Sequence, residues 1–265
     1  MKRCFKLIIE YDGTLFLGWQ RQKEPPTIQG ELESSLSHIL NQKIHIRGSG
    51  RTDAGVHALG QVAHFHANTQ MDPLVLKKGV NSLVKSAIVV RECCVVDETF
   101  HAQYQAKSKE YNYYILNRSD PCAIGAAYLW QVKKPLDLIA MNQCCDMITG
   151  IRDFKSFENT GSPKRSSTRE VYFAVVETFE KVETFKKVEP RKKTKPLEKD
   201  LIIFKISASG FLKNMVRNLM GTLVDVGLHK INLKEFKQIL MARDRSLASR
   251  TAPAKGLFLK QVNYD

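Results

Sequence analysis

The chain has 265 residues, 43% hydrophobic and 26% charged, an ordinary balance for a globular protein with one large or two small domains. Lysine and arginine number 41 against 27 acidic residues, giving a net charge of +14, which favours an anionic partner, nucleic acid before membrane. No apolar run reaches about 18 residues and no charged start leads into an apolar core, which argues against a membrane span or a secretory leader and makes the cytoplasm the expected location.

In chain order, Phe5, Leu7 and Ile9 alternate with Lys6, Ile8 and Glu10, the period of a half-buried strand. Tyr11-Asp12-Gly13-Thr14 turns it. Phe16 to Gln22, aromatic, polar and basic together, suits either a second strand or a surface that touches RNA. Thr27 is a candidate N-cap for a helix presenting Leu32, Leu36, Ile39 and Leu40 on one face. Lys43 to Arg47 and Gln61 to His66 look like strands. Asp72-Pro73 places a cap and a first-turn proline before Leu76, Val80 and Leu83, and Ala87 to Val96 looks like a buried strand. Phe100-His101-Ala102 closes this half. The pattern is α+β, with helices covering one face of a sheet.

The second half repeats that order loosely. Ser108 to Leu116 is a strand holding three tyrosines, Leu136 to Ile148 a helix stopped at Gly150, and Phe154 to Arg169 a loop. Val171 to Phe179 and Leu201 to Ser207 are strands. Between them, residues 181–200 carry eight Lys/Arg and four Asp/Glu with two prolines, the composition of a solvated insertion. Phe211 to Leu228 is the strongest helix, its stripe formed by Phe211, Met215, Leu219, Leu223 and Val226, with Arg217 set into it. Leu233 to Ala242 is a second helix and a last strand ends at Val262. The expected division is 1–103 and 104–265.

The six cysteines, at 4, 93, 94, 122, 144 and 145, form no Cys-x-x-Cys framework and are read as structural. The stretch Gly48 to Gln61 places four glycines, Arg51, Asp53 and His57 in fourteen positions. A hairpin turn takes about two to five residues, so this connection is long, and glycines let it present Asp53 on a tightly turned backbone. Three other readings compete. Asp53 fits a turn aspartate bonding its own backbone. A phosphate loop lacks the P-loop spacing. A metal site would draw on Asp53, His57, His64 and His66. The loop marks a site without fixing its chemistry.

Tyr11-Asp12-Gly13-Thr14, Gly18-Trp19-Gln20-Arg21-Gln22, Gly50 to Ala58, Phe100-His101-Ala102, Asn214 to Asn218 and Ala252 to Leu257 occur together and in order. In that order the chain resembles the tRNA pseudouridine synthase A family across residues 5 to 262. The resemblance implies the pseudouridine synthase fold, an α+β architecture of two mixed halves with largely antiparallel sheets joined around a central basic cleft. It implies an isomerase that converts uridine to pseudouridine at positions 38, 39 and 40 of the tRNA anticodon stem-loop, working as a homodimer with neither cofactor nor metal. Asp53 matches the essential aspartate, acting as a nucleophile or as a base on a ribose proton. Arg217 matches its basic partner, Tyr111 the tyrosine that stacks on the uracil, Arg51 an arginine that helps displace the base and hold phosphate, and Leu257 an apolar residue near the uracil.

Two departures stand out. Gln103-Tyr104 follows Phe100-His101-Ala102 where the family commonly has Arg-Phe, and 181–200 resembles an insertion whose basic excess either adds non-specific RNA affinity or does nothing. The rival functions are a non-catalytic RNA-binding or RNA-folding protein and a metal-dependent nuclease.

Overall fold

The computed structural model describes residues 2–159, 166–179 and 200–265. The basic stretch expected as an insertion therefore lies, apart from Asp200, outside the described residues, as do Gly161 and Pro163 of the expected loop. The chain divides into two compact units, residues 1–111 with 258–265, and residues 112–257.

The first unit opens with β1 (Lys2–Tyr11), α1 (Ile28–Leu40), β2 (Arg47–Gly48), β3 (His57–Asn68), α2 (Pro73–Leu83) and β4 (Ile88–Val96). Strand β1 runs antiparallel between β3 and β4. Its alternation is as expected: Phe5, Leu7 and Ile9 are buried, and Phe5 stacks on Phe65 across the β1–β3 ladder at 5.2 Å. The Thr27 hydroxyl accepts from the Gly30 N–H at 3.2 Å to start α1, which buries Leu32 and Leu36. Asp72 accepts from the Leu74 N–H at 2.7 Å, with Pro73 in the first turn of α2.

Three expectations in this unit are corrected. Phe16 to Gln22 forms no strand. Phe16 and Trp19 are buried, and their irregular backbone is satisfied by bonds such as Leu17 N–H to the Pro26 carbonyl and Trp19 N–H to the Thr52 carbonyl. The strand expected at Lys43 to Arg47 shrinks to β2, because α1 side chains occupy the donors a partner strand would need: the Ile44 N–H bonds Ser37 Oγ and the Ile46 N–H bonds Glu33 Oε1, each at 3.0 Å. Strand β4 is not buried throughout. Only Ile88 and Val90 are enclosed, as befits a strand with one neighbour.

β5 (Ser108–Asn117) begins in the first unit and continues into the second. The second unit adds β6 (Trp130–Val132), α3 (Leu138–Ile148), β7 (Gly150–Asp153), β8 (Thr168–Thr178), β9 (Leu201–Ala208), α4 (Met215–Gly227) and α5 (Leu233–Ala242). The strand order is β5-β9-β8-β7, with β6 parallel to β5. Met141, Cys144, Leu219, Leu223, Phe157 and Phe236 are fully buried among the three helices and a short 3-10 turn at Lys155–Phe157.

Helix α4 starts four residues later than expected. Asn214 takes a left-handed φ of 61° that breaks the helix there, leaving Phe211 ahead of it. The helix packs tightly against the segment that follows α5: a Cβ on Gly221 would fall 1.9 Å from the Arg250 carbonyl oxygen, a backbone atom that cannot step aside. Gly221→Ala is expected to cost about 3 kcal/mol and to lower the melting temperature by about 8 °C, read by circular dichroism.

The chain ends in β10 (Leu257–Asn263), which from Phe258 onward belongs to the first unit and lies parallel to β3, Phe258 opposite His57. Both units mix helices with a mostly antiparallel arrangement of strands, the expected α+β class. Cys4, Cys144 and Cys145 are buried and Cys93, Cys94 and Cys122 partly so. Burial pushes the Cys4 thiol up to about 11 and those of Cys93 and Cys144 up to about 12, which leaves them unreactive. No helix among the described residues is long and apolar enough to cross a membrane.

Candidate active site

Strand β3 already begins at His57, so the irregular part of the glycine segment is shorter than expected, Ser49 to Val56. Its geometry is fixed from beneath. The Ser49 N–H donates to the Val62 carbonyl at 2.7 Å and its hydroxyl to Gln61 Oε1 at 2.7 Å. Gln61 Nε2 returns a bond to the Gly50 carbonyl at 3.0 Å. The Tyr11 hydroxyl meets Thr52 Oγ1 at 2.7 Å, and the Asp53 carbonyl accepts from the Val56 N–H at 3.1 Å, closing a turn with Gly55 at φ 75°. Gly18, at φ 96°, lets its backbone pass beside this turn: a Cβ there would sit 2.6 Å from the Thr52 carbonyl oxygen. Asp53 is half-buried on this braced backbone.

Tyr111 of β5 stands near the carboxylate. It is 8% exposed, and burial first, then the charges of Tyr11 and Asp53, push its hydroxyl pKa well above the ordinary tyrosine value. Tyr11 is pushed up to about 12, again mainly by burial. Both rings are therefore neutral at physiological pH, and Tyr111 offers an apolar wall close to a charged oxygen pair. Arg51 is exposed, and its Nε donates to Gln20 Oε1 at 3.0 Å. Gln20 in turn bonds Gln29, which bonds the buried carboxylate of Glu33. The Gly-Trp-Gln-Arg-Gln segment is thus a brace behind the Asp53 loop.

Sequence reading missed Lys109. Its ammonium donates to the Ser49 carbonyl at 2.7 Å, placing a cation at the foot of the loop. The only local signal was its position two residues before Tyr111 on the same strand, hence on the same face.

The histidines of the metal reading have other engagements. His57 Nδ1 accepts from the Gly13 N–H at 3.1 Å, and its ring stacks on Phe258 at 4.5 Å. His64 Nδ1 accepts from the Ala102 N–H at 3.1 Å, and burial, followed by repulsion from His101, His66 and Arg47, lowers its pKa to about 4. Among the described residues no group of three or more His, Cys, Asp or Glu is arranged to hold a metal ion.

In the second unit Arg217 projects from α4, half-exposed. Its Nε donates to the Ala252 carbonyl at 2.8 Å, while the Ala252 N–H donates to the Arg217 carbonyl at 3.1 Å. The next residue, Asn218, is fully buried and satisfied at both ends: its Nδ2 bonds the Phe157 carbonyl and Asn159, and its Oδ1 accepts from Arg245 and Thr251. Tyr113, which shares a strand face with Tyr111, is wholly buried and spends its hydroxyl on the Pro253 carbonyl at 2.7 Å. Tyr113 is the core tyrosine of the pair. Leu257 is 6% exposed at the end of this clamped segment. Of the expected site residues, Asp53, Tyr111 and Arg51 lie together in the first unit; Arg217 and Leu257 belong to the second.

A carboxylate on a rigid glycine turn beside a neutral, buried phenol suits nucleophilic or general-base work on a flat, uncharged base. The comparison with known proteins agrees. A model of the family described as tRNA pseudouridine synthase matches residues 7–105 and 145–265. Proteins named tRNA pseudouridine synthase A from Acetivibrio thermocellus and from Thermoanaerobacter sp. are each 38% identical over 262 residues, covering 99% of this chain and 100% of theirs. One of the same name from Thermodesulfovibrio yellowstonii is 37% identical over 259 residues, 98% of both chains. This chain belongs to the tRNA pseudouridine synthase family.

Proposed function

We propose that the protein isomerises uridine to pseudouridine in tRNA, at positions 38, 39 and 40 of the anticodon stem-loop, with Asp53 as the catalytic carboxylate. The observation that carries this reading is the braced turn holding Asp53 beside Tyr111. The N1–C1′ bond of the target breaks, the base turns, and a C5–C1′ bond replaces it while the C5 proton is lost and N1 gains one. The rearrangement is redox-neutral and hydrolyses nothing, so it calls for no electron carrier.

Asp53 acts as nucleophile toward the ribose or base, or takes a ribose proton; both routes need it ionised and fixed in place. Tyr111 stacks on the extruded uracil, and Leu257 packs near it. Arg51 helps displace the base and holds phosphate, and Arg217 is the basic partner that favours the ionised carboxylate. The net charge of +14 draws the polyanion. The protein acts in the cytoplasm as a homodimer.

Incubation with unmodified tRNA transcript in chelator, followed by carbodiimide-stop sequencing, is expected to give stops at anticodon-arm uridines with the RNA chain intact. Chain cleavage that chelator abolishes would move the reading to a nuclease. Tight tRNA binding without any stop would leave an RNA-binding protein.

A further inference from the structure

The turn after β4 carries a stack of rings with no part in the chemistry above. Tyr104 is 78% exposed, yet its ring lies 4.1 Å from that of His101 with 21° between their planes. His101 sits in turn 4.8 Å from the ring of buried His64. The turn is held from several sides. His101 Nδ1 accepts from the N–H groups of Gln103 and Tyr104, each at 3.2 Å, and the His101 N–H reaches Gln105 Oε1 at 3.3 Å. Ala102 donates to His64, and its carbonyl accepts from the Tyr264 hydroxyl at 2.6 Å.

A large aromatic side chain is thus fixed at the surface before any ligand arrives, so little further ordering is needed on binding. One face of the phenol is covered by an imidazole. Burial, then the nearby Arg47 charge, lowers the His101 pKa, so the imidazole is neutral at physiological pH. Arg47, exposed on β2 opposite His64, supplies a cation beside the stack. Asp53 follows Arg47 by six positions, a reach of at most about 22 Å.

We propose that the Tyr104–His101 stack is a platform for an unpaired base of the bound tRNA, a few nucleotides from the uridine delivered to Asp53, with Arg47 taking an adjacent phosphate. A flat aromatic face with a guanidinium beside it accepts any base, because every base has a π-face and a phosphate next to it. The proposal rests on the reading that tRNA is the substrate.

The test compares wild type, Tyr104→Ala and Tyr104→Phe in tRNA affinity by filter binding and in steady-state pseudouridine formation. Tyr104→Ala is expected to raise Kd and KM roughly five- to a hundredfold with kcat near the wild-type value, whereas Tyr104→Phe, which keeps the ring, stays within about twofold of wild type. Matching melting temperatures confirm that the exposed position is not structural. Equal tRNA affinity for all three proteins overturns the proposal and would leave the patch to a protein partner. A Tyr104→Phe protein as weak as Tyr104→Ala also overturns it, since the contact would then be to the hydroxyl. If the wild type binds tRNA but forms no pseudouridine, the Kd series still judges the platform, and the proposed activity fails separately.

Discussion

Asp53→Asn is expected to lower the rate of pseudouridine formation by on the order of 10⁴-fold or more, with tRNA affinity and melting temperature close to wild type. The substitution is nearly isosteric and leaves the turn in place: the Asp53 contact that closes it is the backbone carbonyl to Val56, and the bonds from Ser49, Gln61, Tyr11 and Thr52 do not use the side chain. It removes the negative charge that both proposed routes require, since an amide is neither a useful nucleophile nor a base near neutral pH. Single-turnover kinetics with excess enzyme separates the chemical step from tRNA release. A residual rate above about a tenth of wild type would remove Asp53 from the chemistry and leave it as a turn residue.

The local signals in the sequence held where a single element decides its own ends. Thr27 and Asp72-Pro73 start their helices as the capping chemistry requires, and the two-residue period of Phe5, Leu7 and Ile9 marks the enclosed face of β1. The failures share a different cause. Ile44 and Ile46 have strand-like spacing, yet Ser37 and Glu33 from the preceding helix take their backbone donors. Phe16 and Trp19 are buried without any ladder. In each case a contact distant in sequence replaces a strand partner, and composition carries no trace of it. Strands β6 and β7, three and four residues long, are shorter than any window in which a period can be recognised.

The candidate site shows the same division. Asp53 was legible because glycines crowd around it in a connection too long for a hairpin. Tyr111 rather than Tyr113 was singled out only by the family resemblance, since strand periodicity puts both on the same face of β5; in the structure the Tyr113 bond to Pro253 separates them. Lys109, Gln61 and Glu33 escaped notice because each acts on backbone or on another side chain well along the chain: Lys109 on Ser49 across sixty positions, Gln61 on Ser49 across twelve and Glu33 on Ile46 across thirteen. Such bracing residues have no motif of their own. They become visible only when the loop they hold is in place.

Arg217→Ala is expected to reduce kcat by about 10²- to 10³-fold, and Arg217→Lys to recover little of it. The guanidinium binds the Ala252 carbonyl through Nε, and the two backbones exchange a further bond from Ala252 to Arg217. A lysine places a single point charge on a flexible stem and has no counterpart to that fixed Nε–H, so it keeps the charge but loses the orientation. Because Asn218 is anchored by Phe157, Asn159, Arg245 and Thr251, helix α4 itself should persist in both variants. The decisive measurement is the double variant. If Arg217 works through the Asp53 carboxylate, Asp53→Asn with Arg217→Ala is expected to be no slower than Asp53→Asn alone, since groups that act as one unit lose their effect together. Multiplying rate losses would mean that Arg217 contributes by another route, through the Thr251–Leu257 segment that it clamps.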